Sequence, residues 1–184
     1  MIRFAALLIF AVSLSIEISG QKIQSRKSQE TMTERRLPKQ FEISLTKSFG
    51  SGPCFEYRTI ISRRGIVNIR CVEGLLKDKE FSKSITGKLV AHVVATINEV
   101  DYFGLRNSLV DEKDGCHGIV SNHPWIKFSI RLNAQKSTVT HYLGCLNGSP
   151  RTNRELRRIH RLEKVIEDVA SLEKFKNSLE SFEK

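Results

Sequence analysis

The sequence predicts an α+β fold: an antiparallel β-sheet made from two hairpins plus an N-terminal strand, in the order β-β-β-α-β-β-α, with helices covering one face. Three observations predict it. Between Phe41 and Leu143 several stretches alternate apolar and polar residues with the period of a half-buried strand. Two further stretches, from Leu89 to Val100 and from Leu156 to Leu172, repeat apolar residues every three or four positions, as a helix with one buried stripe does. Gly, Pro, Ser and Asn cluster between these segments and break the chain into elements.

Taken in order, the first twenty residues stand apart from the fold. Arg3 precedes an apolar run from Phe4 to Ile16, and Glu17-Ile18-Ser19-Gly20 then turns small and polar. That is the build of a secretory signal peptide, and its apolar core of about thirteen residues is too short to span a bilayer as a helix. The expectation is a mature chain that begins near Gln21 and works outside the cytoplasm, secreted or periplasmic, and that is not an integral membrane protein. Residues 21–40 hold Lys22, Arg26, Lys27, Arg35, Arg36 and Lys39 with few large apolar groups. Such a stretch buries too little surface to offset its chain entropy, so it reads as a flexible basic leader closed by Pro38. Residues 41–184 read as a single domain with a long C-terminal helix.

Phe41, Ile43 and Leu45 form one face of the first strand, and Ser48 to Pro53 is a turn-forming break. Phe55–Ile61 and Ile66–Val72 flank Ser62-Arg63-Arg64-Gly65. A three-residue loop with a left-handed glycine sets Tyr57, Thr59 and Ile61 opposite Cys71, Ile69 and Val67. A slip by one residue would destroy the apolar face so formed. Thr86 is a plausible start for the first helix, and Tyr102-Phe103-Gly104 ends it. Leu105 to Pro124 is read as a long loop. In the second hairpin, a loop of Asn133-Ala134-Gln135-Lys136 would set Ile130 opposite Val139, Phe128 opposite His141 and Ile126 opposite Leu143. Gly148-Ser149-Pro150 breaks the chain before the last helix.

Four cysteines in an exported chain are read as disulfides. Cys116 precedes the second hairpin and Cys145 follows it, so antiparallel pairing brings the two together. Cys54 would then pair with Cys71 by subtraction. The register above, however, puts Cys71 on the inner face and Cys54 on the other, which leaves that bridge open. The competing reading of the same region is a metal site, or an enzyme site at the Cys116–Pro124 loop, because Cys116, His117, His123, His141 and Cys145 could converge at the hairpin mouth. Their spacing matches no zinc module, an oxidising compartment favours cystine, and no metal or other cofactor is expected. Serine-hydrolase, phosphate-loop and zinc-protease patterns are absent, so the chain is read as non-catalytic.

The formal net charge is +10, which favours anionic partners such as an anionic surface or an acidic protein. The sharpest local expression of it is at the start of the last helix, where Arg154, Arg158 and Arg161 share a face at four- and three-residue spacing. The helix dipole is already positive there, so helix stability alone would place acids at these positions. The competing view is a solvated face neutralised by Glu155, Glu163, Glu167 and Asp168. Nucleic acid is not the expected partner, since no aromatic stacking platform accompanies the charge.

Several segments together resemble a bacterial family of exported proteins known only as a domain of unknown function. They are Phe41-Glu42-Ile43-Ser44-Leu45, the Gly/Cys/Pro turn, the aromatic-led strand with Tyr57, Arg64-Gly65-Ile66-Val67 with Gly74 beyond it, Asp101-Tyr102-Phe103, Thr140-His141-Tyr142 and the closing helix. The resemblance spans Phe41 to about Leu172 and implies a fold but no activity. The family's paired turn cysteines stand here as Ser48 and Gly52, and Tyr57 lies two residues further from Pro53, so that family's turn disulfide does not carry over. The expected function is that of an exported, non-catalytic binding module of the envelope or the extracellular space.

Overall fold

A computed structural model describes residues 37–48, 52–172 and 174–175. The expected signal peptide, most of the expected basic leader and part of the turn at Ser48–Pro53 lie outside the described residues. The fold is α+β, and the described residues form nine strands and two helices: β1 Phe41–Ser48, β2 Glu56–Ile61, β3 Ile66–Glu73, β4 Glu80–Ser84, α1 Gly87–Glu99, β5 Ser108–Leu109, β6 Cys116–Ile119, β7 Trp125–Leu132, β8 Gln135–Tyr142, β9 Cys145–Gly148 and α2 Pro150–Ala170. Seven strands form one sheet in the order β4-β3-β2-β1-β7-β8-β5, antiparallel except for the short β5–β8 pairing, and β6 and β9 form a separate ribbon. Leu37 is buried, so packed structure is already present a few residues before the first strand.

Alternation of side chains explains the core. Ile43, Leu45, Tyr57, Ile61, Val67, Ile69, Ile126, Phe128, Ile130 and Val139 all point to one face and are almost fully buried. Over them lie Val93 and Ile97 of α1 and Ile159, Leu162 and Ile166 of α2. Burial of such side chains contributes about 1.5–3 kcal/mol each, which fixes the register strand by strand. Thr86 caps α1 by accepting from the Leu89 amide, while Ser149 caps α2 by accepting from the Thr152 amide, with Pro150 in its first turn.

The first hairpin has the register read from its glycine turn: Tyr57 faces Cys71, Thr59 faces Ile69 and Ile61 faces Val67. Gly65 has φ +76°, and a Cβ there would collide with the carbonyl of Ile85. The second hairpin differs from expectation by two residues. Ile126 faces His141, Phe128 faces Val139 and Ile130 faces Ser137. The chain reverses within Asn133-Ala134 alone, because Asn133 adopts a left-handed φ of 55°, a conformation that Asn tolerates better than most residues. A shift of two preserves the faces, so His141 and Val139 still point inward.

Two further expectations are corrected. The polar link after β3 contains an edge strand, β4, whose exposed Glu80 and Ser82 gave no apolar signal. The segment from Leu105 to Pro124 is not a plain loop: it carries β5, a 3-10 turn at Glu112–Asp114 and β6.

Candidate functional site

The antiparallel registers place side chains in rows across the sheet, and three of these rows concentrate polar chemistry. On the covered face one row runs Leu109, His141, Ile126, Lys47, Tyr57, Cys71. Helix α2 crosses it with His160, Glu163 and Glu167. Lys47 Nζ donates to Glu163 at 2.6 Å and to Glu167 at 2.7 Å, and the Tyr57 hydroxyl donates to Glu167 at 3.3 Å. Burial works against the Lys47 charge, but its hydrogen bonds to the two carboxylates outweigh burial and raise its pKa. Burial pushes the Glu163 pKa up, against the pull of Lys47. His141 has no exposed surface, and neither of its ring nitrogens has a hydrogen-bond partner. Its ring stacks on Phe128 and lies 5.2 Å from that of His160, and its Nε2 is 3.9 Å from Glu163 Oε2. Burial, with smaller contributions from His160 and Lys47, lowers its pKa to about 3.

Neither of the described helices packs on the opposite face of the sheet. There a row runs Glu80, Arg70, Arg58, Thr46, Lys127, Thr140, and a second runs Glu42, Arg131, Lys136. Arg58 stands directly opposite Arg70, and Arg131 directly opposite Lys136. Like charges facing each other across strands oppose pairing, so the fold gains nothing from this choice. Arg70 is answered by Asp78 and Glu80, whereas Arg58 makes a long hydrogen bond to Thr46 Oγ1 at 3.4 Å. Arg58, Arg70 and Lys77 also line a depression together with Ile60, Asn68, Val72 and the carboxylates of Asp78 and Glu80. The sequence hid this surface, because its cations come from four strands and a turn and meet only once the register is known.

The cysteines form two bridges. Cys116 and Cys145 are joined with Cα atoms 5.5 Å apart, and Cys54 and Cys71 with Cα atoms 5.7 Å apart. The face argument that left the second bridge open fails for a local reason. Cys54 precedes β2, outside its alternation, and a bulge shifts the register between Glu56 and Tyr57. Its sulfur therefore turns inward towards Cys71.

These bridges speak against the competing reading of a metal cluster at the hairpin mouth. Cys116 and Cys145 have no thiolate to offer, His117 and His123 are exposed, and His141 lies beneath α2. The five residues do not form one donor set. The arginine ridge is also divided. Arg158 donates to the carbonyls of Val100 and Asp101 and to the Asp101 carboxylate, and Arg161 pairs with Glu99, so both hold the end of α1. Arg154 is exposed, with no partner among the described residues. Sequence reasoning missed Arg106, which donates to Glu155, to Thr152 Oγ1 and to the Asp114 carbonyl, and so ties the segment after α1 to the start of α2.

Among the described residues no helix is long and apolar enough to cross a membrane. No family model and no curated protein matches this chain.

Proposed function

We propose that this chain is an exported, non-catalytic binding module whose open sheet face receives an anionic component of the envelope or extracellular surroundings. The observation that carries this reading is the pair of like-charged registers, Arg58 opposite Arg70 and Arg131 opposite Lys136, on the sheet face that neither described helix covers. An anionic group seated between such cations removes their repulsion and gains charge-assisted hydrogen bonds to guanidinium. The depression that Arg58, Arg70 and Lys77 line offers that group a concave seat in which it would compete with Asp78 and Glu80 for Arg70, and the net charge of +10 steers anions towards the molecule. Two disulfides suit an oxidising compartment, in keeping with the signal-like N-terminus.

The reading is tested by retention of the oxidised chain on a polyanionic and on a neutral polymer, at low and high ionic strength. The expected result is binding to the polyanion alone, lost as salt rises and weakened by Arg58→Ala and Lys127→Ala more than by Arg154→Ala. Absent or salt-insensitive binding, or equal effects of all three substitutions, overturns it.

A further inference from the structure

The cluster under α2 contains a donor set that the anionic-surface reading does not use. His141, His160 and Glu163 each present one ligand atom, and these atoms lie within 4.8 Å of one another. His160 and Glu163 sit at i and i+3 on α2, so both face the sheet position that holds His141. An independent observation points to a ligand: His141 is wholly buried with both ring nitrogens unpartnered. A buried polar group left without a partner is costly, on the order of 1–3 kcal/mol in general, and folded proteins rarely carry one without a reason.

We propose that His141, His160 and Glu163 form a site for a divalent transition metal of the zinc class. Imidazole and carboxylate are ligands of that class, and three protein ligands leave a fourth position for water. The charge balance favours a cation, since the ionised forms of Lys47, Glu163 and Glu167 sum to a single negative charge beside two imidazoles. A proton does not supply the missing charge at His141. Its Nε2 is 3.9 Å from Glu163 Oε2, beyond hydrogen-bond distance, and the ring is wholly buried. Neutral imidazole is the form that a metal requires.

The surroundings also suit a ligand carboxylate. Lys47 holds Glu163 Oε1 at 2.6 Å and is itself braced by Glu167, which leaves Oε2 towards His141. Hydrogen-bonded support of this kind orients a metal-binding carboxylate. Zinc ligands in a tetrahedral site stand roughly 3.3 Å apart, so the donor atoms must close by about 1.5 Å at most. His160 is exposed and can supply that movement, and its side of the cluster gives an ion its route in.

The test uses the oxidised chain, stripped with a chelator, titrated calorimetrically with Zn²⁺ and by visible absorption with Co²⁺. The expected result is one ion per chain, with the strong absorption of a four-coordinate cobalt site. His160→Ala, a substitution at an exposed position, is expected to weaken binding at least about tenfold. His117→Ala and His123→Ala should leave it unchanged. No binding to the parent chain, unaltered binding by His160→Ala, or loss on replacing His117 or His123 overturns the proposal. Because the cluster lies on the covered face, polyanion retention of the same His160→Ala variant reports separately on the open-face reading.

Discussion

At the scale of single residues, His141 separates stability from function. A histidine retained for stability would be hydrogen-bonded, and this one is not. Replacing it by Leu removes two orphaned polar atoms while keeping an apolar body against Phe128. The expected outcome, by urea denaturation in the presence of a chelator at pH 7.5, is stability unchanged or higher by about 1 kcal/mol, where loss of a large core side chain usually costs 2–5 kcal/mol. The same residue makes a prediction about acid. Its folded pKa of about 3 lies below the ordinary value of 6.5, so the unfolded chain binds the extra proton first as pH falls. The contribution of neutral, buried His141 is complete above pH 6.5 and declines between that value and about 3, by at most about 1.4 kcal/mol per pH unit. Glu163 acts in the opposite sense: its raised folded pKa makes the native state take up a proton before the unfolded one, which offsets part of the loss near the carboxylate range. Denaturation midpoints at pH 7.5 and 5.5 should therefore fall in the parent chain and fall less in His141→Leu. Equal falls in the two chains would show that the acid sensitivity arises elsewhere.

At the scale of elements, the junction of α1 with α2 shows what the arginines do. The last carbonyls of a helix have no partner within it, and Arg158 supplies one by donating to Val100 and Asp101 at the end of α1. Arg158→Ala leaves those carbonyls to water and is expected to cost about 1–3 kcal/mol in the denaturation midpoint, whereas Arg154→Ala is expected to change it by less than about 0.5 kcal/mol. Reversal of that order would mean that the ridge is not what holds α1. Both arginines belong to one helical stripe in the sequence, and only the position of α1 distinguishes them. The same limit explains what was legible in the chain. Tyr57–Cys71 pairing followed from Gly65 and an alternating apolar face, and Thr86 announced α1, because both signals are local. The register of the second hairpin depended on which residues after Leu132 make the turn, and a shift of two costs no apolar burial, so periodicity was silent there. Strands β4, β5 and β6 are short or solvent-facing and exist through their partners. The His141–His160–Glu163 cluster joins a strand to a helix, and its own spacing carried no motif.

At the scale of the whole molecule, the two bridges govern how the fold depends on its compartment. Cys116–Cys145 spans a sequence separation of 29 and Cys54–Cys71 one of 17, and all four sulfurs are bonded. Closing loops of that size restricts the unfolded chain by about 3–4 kcal/mol per bridge in the chain-entropy model, a large share of the 5–15 kcal/mol that ordinary domains possess. The bridges work at different places: Cys116–Cys145 ties β6 to β9 within their ribbon, while Cys54–Cys71 ties the entry of β2 to β3. Their effects should add, since the elements that they hold share few partners. The double substitutions Cys116→Ala with Cys145→Ala, and Cys54→Ala with Cys71→Ala, are each expected to lower stability by about 3 kcal/mol, and their combination by roughly twice that. Production under reducing conditions should then give a chain that unfolds at much lower urea than the oxidised one. If the reduced and oxidised chains unfold together, the core alone carries the fold, and the disulfides cease to be an argument for an oxidising compartment.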